Sequence, residues 1–318
     1  MTKTKNVKRN LYSHYVLRFV IFAVFIRRHN LIIADLLTDI STRLRGVTDT
    51  PELDAQVLLA HLTGKTRTWL AAHPETHLSD PQRDAVEEAV SKLTAGTPLP
   101  YILDHWEFFG LDFKVTPDVL IPRPETELLV EQAILWLQSR PVTTYSALRA
   151  ADVGTGSGCI AVSLAKQIHD LRVLATDLSL PALKVAHQNA LRHDVNHRVD
   201  FVQCDLLPQH PFPLPTESHF DVICANLPYI PTATLEHLPI FGREPTLALN
   251  GGSDGLDPIR HLLKIAPEWL APNGLILLEI EAGQGMAAVS LAYDSFDHAT
   301  INLRRDLAGQ ERLVAIRI

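Results

Sequence analysis

The stretch Asp152-Val153-Gly154-Thr155-Gly156-Ser157-Gly158 decides the fold of this chain. It overlaps the end of the apolar run 150–153 and precedes residues 160–165, which have helical spacing, so a strand, a glycine turn and a helix are predicted in that order. Glycines let the backbone turn tightly and let a ligand lie against main-chain N–H groups. Because position 159 is Cys, the spacing is GxGxG and not the GxGxxG of dinucleotide sites, which leaves a nicotinamide or flavin domain as a minor alternative.

Short apolar runs alternate with helical segments beyond residue 148. This alternation favours βαβ units, an α/β fold class and a largely parallel sheet. Ligands of such sheets bind at the carboxyl ends of the strands, so candidate residues are sought there. Six runs are predicted as strands: residues 150–153, 173–176, 199–202, 220–225, 275–280 and 313–316.

Asp177 ends the strand that follows the glycine loop, 21 residues after Gly156. A carboxylate at this place can accept hydrogen bonds from both hydroxyls of a ribose. A nucleoside cofactor without a pyrophosphate fits the two signals together, and S-adenosylmethionine is the common one. The alternative is an ordinary strand-to-helix turn in which Asp177 caps a helix.

Asn226-Leu227-Pro228-Tyr229 follows the predicted strand 220–225. This turn offers the amide oxygen of Asn226, the backbone carbonyl of Leu227 and the ring of Tyr229, a set able to hold a planar substrate NH2 group. The nitrogen of an amide is poorly nucleophilic, so the expected contribution is orientation and stabilisation of developing charge. Taken alone, the same four residues are as often a simple turn.

Three further regions are predicted outside the sheet. Residues 31–98 carry helix signals and form a small helical domain, with helices that begin near Pro51 and at Asp80, the expected capping acid. Residues 99–120 form a β-hairpin connector around Gly110, and a helix runs from Pro124 to about residue 138 at the start of the domain that holds the predicted sheet, 121–318.

Residues 1–30 hold seven Lys or Arg and no acid, so the other 288 residues carry a net charge of −14 within a total of −7. The apolar run 19–26 is far shorter than the ~20 residues that span a bilayer as a helix. An extension outside the fold, such as an over-long translation start, is the favoured interpretation; a signal peptide or a peripheral anchor is the minor one. The acidic remainder disfavours stable binding of nucleic acid.

The cysteines and histidines argue against a disulfide framework and against a metal site. The three cysteines include no CxxC pair, which favours reduced, buried thiols in a cytoplasmic protein over disulfides. The 15 histidines show no metal-ligand spacing, so no metal is expected.

The glycine loop and the Asn226 turn together resemble the amino-methyltransferases, which usually carry N-P-P-Y at the turn. The wider pattern is similar to one family, the peptide chain release factor N5-glutamine methyltransferases, over about residues 31–318. The additional motifs that carry this resemblance are Pro122-Arg123-Pro124-Glu125-Thr126-Glu127, Leu249-Asn250-Gly251-Gly252-Ser253-Asp254-Gly255-Leu256-Asp257, Leu278-Glu279-Ile280, Gln284, Leu53-Asp54-Ala55 and Pro100-Tyr101-Ile102.

The resemblance implies a Rossmann-like class I methyltransferase domain with a seven-stranded sheet, behind a helical substrate-recognition domain. It also implies methyl transfer from S-adenosyl-L-methionine to the glutamine of a Gly-Gly-Gln loop in a release factor. The sulfonium carries its own positive charge, so no metal is expected, and the chain is expected to be a monomer. The implied cofactor residues are Gly154, Thr155, Gly156, Ser157, Gly158, Asp177, Asp205, Leu206, Thr126 and Asn226. The implied catalytic and substrate residues are Asn226, Leu227, Pro228 and Tyr229, with Arg123 at the entrance.

One departure and three alternatives accompany this interpretation. Leu227 stands where the family usually has a proline, so Asn226 is expected to be less rigid while activity is retained. The alternatives are methylation of a ribosomal-protein glutamine, N6-adenine methylation of nucleic acid, and a non-catalytic sensor that binds the cofactor only.

Overall fold

The computed structural model describes residues 31–140, 148–208 and 219–318. The predicted extension, 1–30, lies outside these ranges. The chain divides into two compact units at Leu103/Asp104. No helix in the described ranges is long and apolar enough to cross a membrane.

The described part of the first unit, residues 31–103, contains five helices, and each buries at least one apolar residue. Proline at the first turn begins the second helix, and Gly64 ends it with a φ of +65° that suits a residue without a Cβ. Ser79, and not the predicted Asp80, caps the fourth helix: its N–H donates to Gln82 Oε1 at 3.0 Å. The helices are α1 (Ile33–Leu44), α2 (Pro51–Thr63), α3 (Arg67–Ala72), α4 (Asp80–Thr94) and α5 (Leu99–Leu103).

The boundary of this unit falls five residues beyond the predicted 98, because α5 buries Leu99, Pro100 and Leu103. The second unit opens with an antiparallel hairpin, β1 (His105–Phe108) and β2 (Leu111–Lys114), which turns at Phe109 and Gly110 with positive φ at both.

The helix predicted from Pro124 begins three residues later. Pro124–Thr126 is a 3₁₀ turn, and α6 runs over Glu127–Ser139. Glu127 Oε1 accepts a hydrogen bond from Phe109 N at 2.9 Å, which ties the start of α6 to the hairpin.

A seven-stranded sheet forms the centre of the second unit, in the order β5-β4-β3-β6-β7-β9-β8. The first five are parallel, whereas β9 is antiparallel to both its neighbours. All six predicted strands are present; β8 was not predicted. The strands are β3 (Arg149–Val153), β4 (Arg172–Asp177), β5 (Val199–Gln203), β6 (Phe220–Ala225), β7 (Leu270–Glu279), β8 (Thr300–Arg305) and β9 (Glu311–Arg317).

Helices cover both faces of this sheet, so its central strands are buried on both sides. Successive residues of β3 and β6 enter different core clusters: Ala150 and Val222 lie in one, Ala151 and Ile223 in the other. The helices are α7 (Cys159–Gln167), α8 (Leu180–Arg192), α9 (Thr232–Leu235), α10 (Asp257–Ile265) and α11 (Gly285–Ser295).

The strand order reverses next to β3. The chain goes from β3 to β4 on one side and later returns to β6 on the other. Such a switch point leaves a crevice at the carboxyl ends of the two central strands. The glycine loop after β3 and the Asn226 turn after β6 therefore face each other across it.

Candidate functional site

A cavity of about 430 Å³ opens at this switch point, a volume in the range of small-molecule sites. Predicted site residues that line it are Arg123, Thr126, Gly154, Thr155, Gly156, Ser157, Asp177, Asp205, Leu206, Asn226, Leu227 and Pro228. Gly158 and Tyr229 are not on its wall. The structure thus brings twelve of the fourteen predicted residues to one cavity.

The glycine loop holds its shape through main-chain hydrogen bonds. The N–H groups of Gly154 and Thr155 both donate to the carbonyl of Thr176 on β4, at 2.9 and 2.8 Å. Gly154 has a φ of +73°, and a Cβ there would lie 3.1 Å from Leu227 Cδ2. A side chain at Gly154 would therefore strain the backbone and collide with Leu227 of the Asn226 turn.

Gly158 contributes packing rather than a cavity wall. Its φ is +81°, and a Cβ would lie 3.0 Å from that of Ala186 on α8. The glycine thus lets α7 start close against the next helix.

The Asp177 carboxylate is fixed by two backbone donors. Oδ2 accepts from Gly156 N at 2.9 Å, and Oδ1 accepts from Ser179 N at 2.8 Å. Burial raises the pKa of this carboxyl. A carboxylate has about four acceptor positions, so two remain for ligand hydroxyls. The cap of α8 is Ser179, whose hydroxyl accepts from Ala182 N, and not Asp177.

Leu206 completes the wall beyond β5 from an unusual backbone conformation. Its φ is +58°, and its carbonyl accepts from the hydroxyl of Thr176. The adjoining wall, which the sequence did not predict, comes from a distant part of the chain: Pro245, Leu247, Ala248, Asn250, Asp257, Pro258 and His261.

The Asn226 side chain is oriented by a residue 100 positions earlier in the chain. Its Nδ2 donates to Thr126 Oγ1 at 3.0 Å. Leu227 is buried, and the carbonyl of Tyr229 accepts from Gln284 Nε2 at 2.9 Å. Burial raises the pKa of the Tyr229 phenol, which therefore stays protonated at neutral pH.

The glycine-rich segment after residue 249 packs backbone to backbone against this turn. The carbonyl of Ile230 accepts from Gly251 N at 2.8 Å. A Cβ on Gly251 would lie 2.7 Å from the carbonyl oxygens of Pro228 and Gly255, and one on Gly255 would overlap that of Tyr229. The glycine-rich motif, which served only for the resemblance in the sequence, thus supports the Asn226 turn.

Arg123 is already paired. Its Nη2 donates to Glu244 Oε1 at 2.6 Å, and Glu244 Oε2 accepts from Ile121 N at 3.1 Å. The buried Glu244 therefore joins the segment before α6 to the segment after α9 along the cavity.

Two buried carboxyls beside the site had no role assigned from the sequence. Asp152 Oδ2 accepts from Thr155 Oγ1 at 2.6 Å and from Ala161 N at 3.0 Å, while Oδ1 lacks a partner among the described residues. Glu279 is 1% exposed at the end of β7. Burial raises the pKa of each carboxyl to about 7. The sequence signal that could have identified both residues is an acidic side chain within an otherwise apolar strand.

We expect Asp152→Asn to change the pH dependence of stability. The pKa of Asp152 rises from an ordinary 3.8 in the unfolded chain to about 7, so between these values the folded state holds a proton that unfolding releases. Raising the pH therefore destabilises the wild type at this group. The stability of Asp152→Asn relative to wild type should increase by roughly 2–4 kcal/mol from pH 4 to 7 and then level off. Urea unfolding at several pH values measures this; a constant difference would contradict it.

No cluster of three or more His, Cys, Asp or Glu side chains in the described ranges has the geometry to hold a metal ion. The thiols are free: Cys159 and Cys224 are buried, and Cys204 is partly so. Burial raises the pKa of Cys159 to about 12.

Comparison with known proteins gives consistent matches across both units. Family models described as "PrmC N-terminal domain" and "Methyltransferase domain" match residues 35–103 and 150–239. The release factor glutamine methyltransferase of Moorella thermoacetica is 43% identical over 84% of this chain and 91% of its own. That of Coxiella burnetii is 38% identical over 90% and 98%.

A crystal structure of the release factor-specific protein-(glutamine-N5) methyltransferase of Alicyclobacillus acidocaldarius is also similar. It is 30% identical, covering 64% of this chain and 98% of the other, with a TM-score of 0.39.

Proposed function

The chain belongs to the family of release factor glutamine methyltransferases, and from that membership we propose that it transfers a methyl group from S-adenosyl-L-methionine to the side-chain nitrogen, N5, of the glutamine in the Gly-Gly-Gln loop of peptide chain release factors. The observation that carries the proposal is the Asn226 amide, held by Thr126 on the cavity that the glycine loop and Asp177 also line.

The residues present fit this cofactor. Gly154 leaves the cavity open where a Cβ would crowd Leu227, and Asp177 has acceptor positions free for ribose hydroxyls. Asp205 and Leu206 would adjoin the adenine. When bound, the cofactor supplies an electrophilic methyl group on a positively charged sulfur.

The Asn226 turn, residues 226–229, would act as the catalytic turn and hold the substrate amide by its two N–H bonds. Asn226 Oδ1 would accept one and the Leu227 carbonyl the other, while Pro228 and Tyr229 keep the turn rigid. Since the amide lone pair is delocalised, the gain comes from aiming the nitrogen at the methyl carbon and from stabilising the positive charge that develops on it. A C–N bond forms, the S–CH3 bond breaks and the methylated amide releases one proton to water.

Methyl transfer from radiolabelled S-adenosylmethionine to a purified release factor tests the proposal. We expect label on the intact factor and none on a factor whose Gly-Gly-Gln glutamine is replaced by alanine. Label on a ribosomal protein alone, or on a DNA oligonucleotide alone, would replace the proposal by the corresponding alternative. Cofactor binding without transfer to any of these would leave only the sensor interpretation.

We expect Leu227→Pro to change turnover by less than tenfold. The hydrogen bond to Thr126 already restrains Asn226, so the further restriction of its backbone by a following proline should have little effect on its orientation. The exchange also removes the buried leucine side chain, and the melting temperature should fall. Steady-state kinetics with the release factor measures the effect; a rise above tenfold would mean that the wild-type turn is poorly organised.

A further inference from the structure

Asn189 is a buried polar side chain that does not line the cavity and has no part in the proposed chemistry. It lies in α8 and is 0% exposed. Burying an amide costs free energy unless its polar atoms are hydrogen-bonded. The partners of this amide therefore identify the parts of the fold that depend on it.

The Asn189 amide is hydrogen-bonded on both its nitrogen and its oxygen. Nδ2 donates to the carbonyl of Ser157 at 2.8 Å and to that of Lys114 at 2.9 Å, while Oδ1 accepts from Lys114 N at 2.7 Å. Two carbonyls and one N–H face the side chain, so only this orientation of the amide satisfies all three partners. Asn189 thus pairs with both backbone groups of Lys114, as a residue of a neighbouring strand would, and holds Ser157 with its remaining N–H.

The two partners belong to different parts of the cavity wall. Ser157 lies in the glycine loop and lines the cavity itself. Lys114 ends β2, and the segment 118–123 that follows it also lines the cavity. One buried side chain outside the cavity therefore bonds to the glycine loop and to the strand that leads into another wall.

The helix that carries Asn189 contacts the same two segments on either side of it. Ala186, one turn earlier on α8, is the residue against which Gly158 packs. Arg192, one turn later, forms an ion pair with Asp112 of β2, with Nη2 and Oδ2 2.8 Å apart. Residues three apart lie on the same side of a helix, so this side of α8 faces the glycine loop at one end and β2 at the other.

We propose that Asn189 is a positioning residue of the cofactor site, which holds the glycine loop and the segment that leaves β2 in the arrangement that S-adenosylmethionine binds. Without the amide, the buried backbone groups of Ser157 and Lys114 lose their partners, and the two segments are free to shift relative to each other. The cofactor would then bind only the fraction of molecules that have both segments in place, which lowers its apparent affinity. The inference rests on the proposed function for the identity of the cofactor.

The test measures the affinity of the full chain for S-adenosylmethionine by calorimetry. Asn189→Leu keeps the approximate volume and removes every hydrogen bond, whereas Asn189→Asp keeps an acceptor for Lys114 N and removes both donors. We expect the Kd to rise roughly tenfold or more in each variant. At saturating cofactor, kcat with the release factor should stay within about threefold of wild type, because the Asn226 turn is not among the partners of Asn189.

Two controls separate this role from a general loss of stability. Gln188→Leu changes an exposed amide at the adjacent position of α8 and should behave as wild type. Ile316→Ala removes buried volume from β9 away from the cavity wall, so it should lower the melting temperature and leave the Kd unchanged. A merely structural Asn189 would give the same result as Ile316→Ala, since unfolded molecules reduce the number of binding sites and not the affinity of each site.

Hydrogen exchange of the wild type decides the proposal if neither Asn189 variant folds. The Lys114 amide donates to Asn189 and does not line the cavity, so its exchange should slow when S-adenosylmethionine binds. Unchanged exchange there would overturn the proposal, as would a Kd of the folded variants within about threefold of wild type. A fall in kcat at saturating cofactor larger than the rise in Kd would also overturn it.

Failure of the proposed function gives a different result. Wild-type protein that binds S-adenosylmethionine but does not methylate the release factor would overturn the proposed function and leave the Kd comparison to decide the role of Asn189. Wild-type protein that does not bind the cofactor would overturn both.

Discussion

Asn226→Ala should lose methyl transfer by about 10²–10³-fold while still binding S-adenosylmethionine. The alanine removes the oxygen proposed to accept from the substrate amide, so the nitrogen is no longer aimed at the methyl carbon. The glycine loop and Asp177, which would hold the cofactor, keep their hydrogen bonds. Single-turnover transfer to a release factor and calorimetry with the cofactor measure the two effects separately.

Asn302→Ala, on the exposed side of the edge strand β8, is the matched control and should behave as wild type. A fall in cofactor affinity as large as the fall in transfer would assign Asn226 to cofactor binding. Transfer within threefold of wild type would remove Asn226 from the catalytic turn altogether.

Gly255→Ala should reduce turnover by more than about 100-fold, although residue 255 does not line the cavity. Its φ is +80°, and an added Cβ would overlap the carbonyl oxygen of Tyr229 and the side chain of Gln284. Because backbone atoms cannot rotate away, the turn that carries Asn226 must shift. Kinetics with the release factor, together with the melting temperature, measure the outcome.

Gly309→Ala separates the effect of backbone strain at a positive φ from the effect of the clash between the added Cβ and its neighbours. Gly309 has a similar φ of +78°, in the turn between β8 and β9, and nothing lies within 4 Å of its added Cβ. It should lose about 1–2 kcal/mol of stability and no turnover. If Gly255→Ala lost no more turnover than Gly309→Ala, the contact of residue 255 with the Asn226 turn would be unimportant for turnover.

The parts of the site that follow directly after a strand could be predicted from the sequence, because short segments of the chain define them. The glycine loop, Asp177 and the Asn226 turn each follow a strand within a few residues, and parallel strands bring their carboxyl ends to one edge. The apolar runs predicted the strand positions to within one or two residues for all but β7, because Pro272, Asn273 and Gly274 interrupt the apolar run near its start.

The other parts depend on contacts between distant segments. Thr126 meets Asn226 across a separation of 100 residues, and nothing in either segment specifies the partner. The part of the cavity wall around Pro245 and His261 likewise comes from segments far from the glycine loop in the sequence. Strand β8 was missed since it lies at the sheet edge, where only Ile301 and Leu303 are partly buried and the apolar signal is weak.

The different exposure of the three thiols allows ligand binding to be followed by the fluorescence of a dye attached to one cysteine. Cys159 and Cys224 are buried, with Cys159 on the wall of the cavity, whereas Cys204 is partly exposed and precedes Asp205, which also lines the cavity. Burial and the neighbouring Asp205 raise the pKa of Cys204 to about 11, so a maleimide dye would attach slowly but at one position. The native sequence thus offers one partly exposed thiol for a fluorescent reporter, one residue away from the cavity wall, without engineered cysteines.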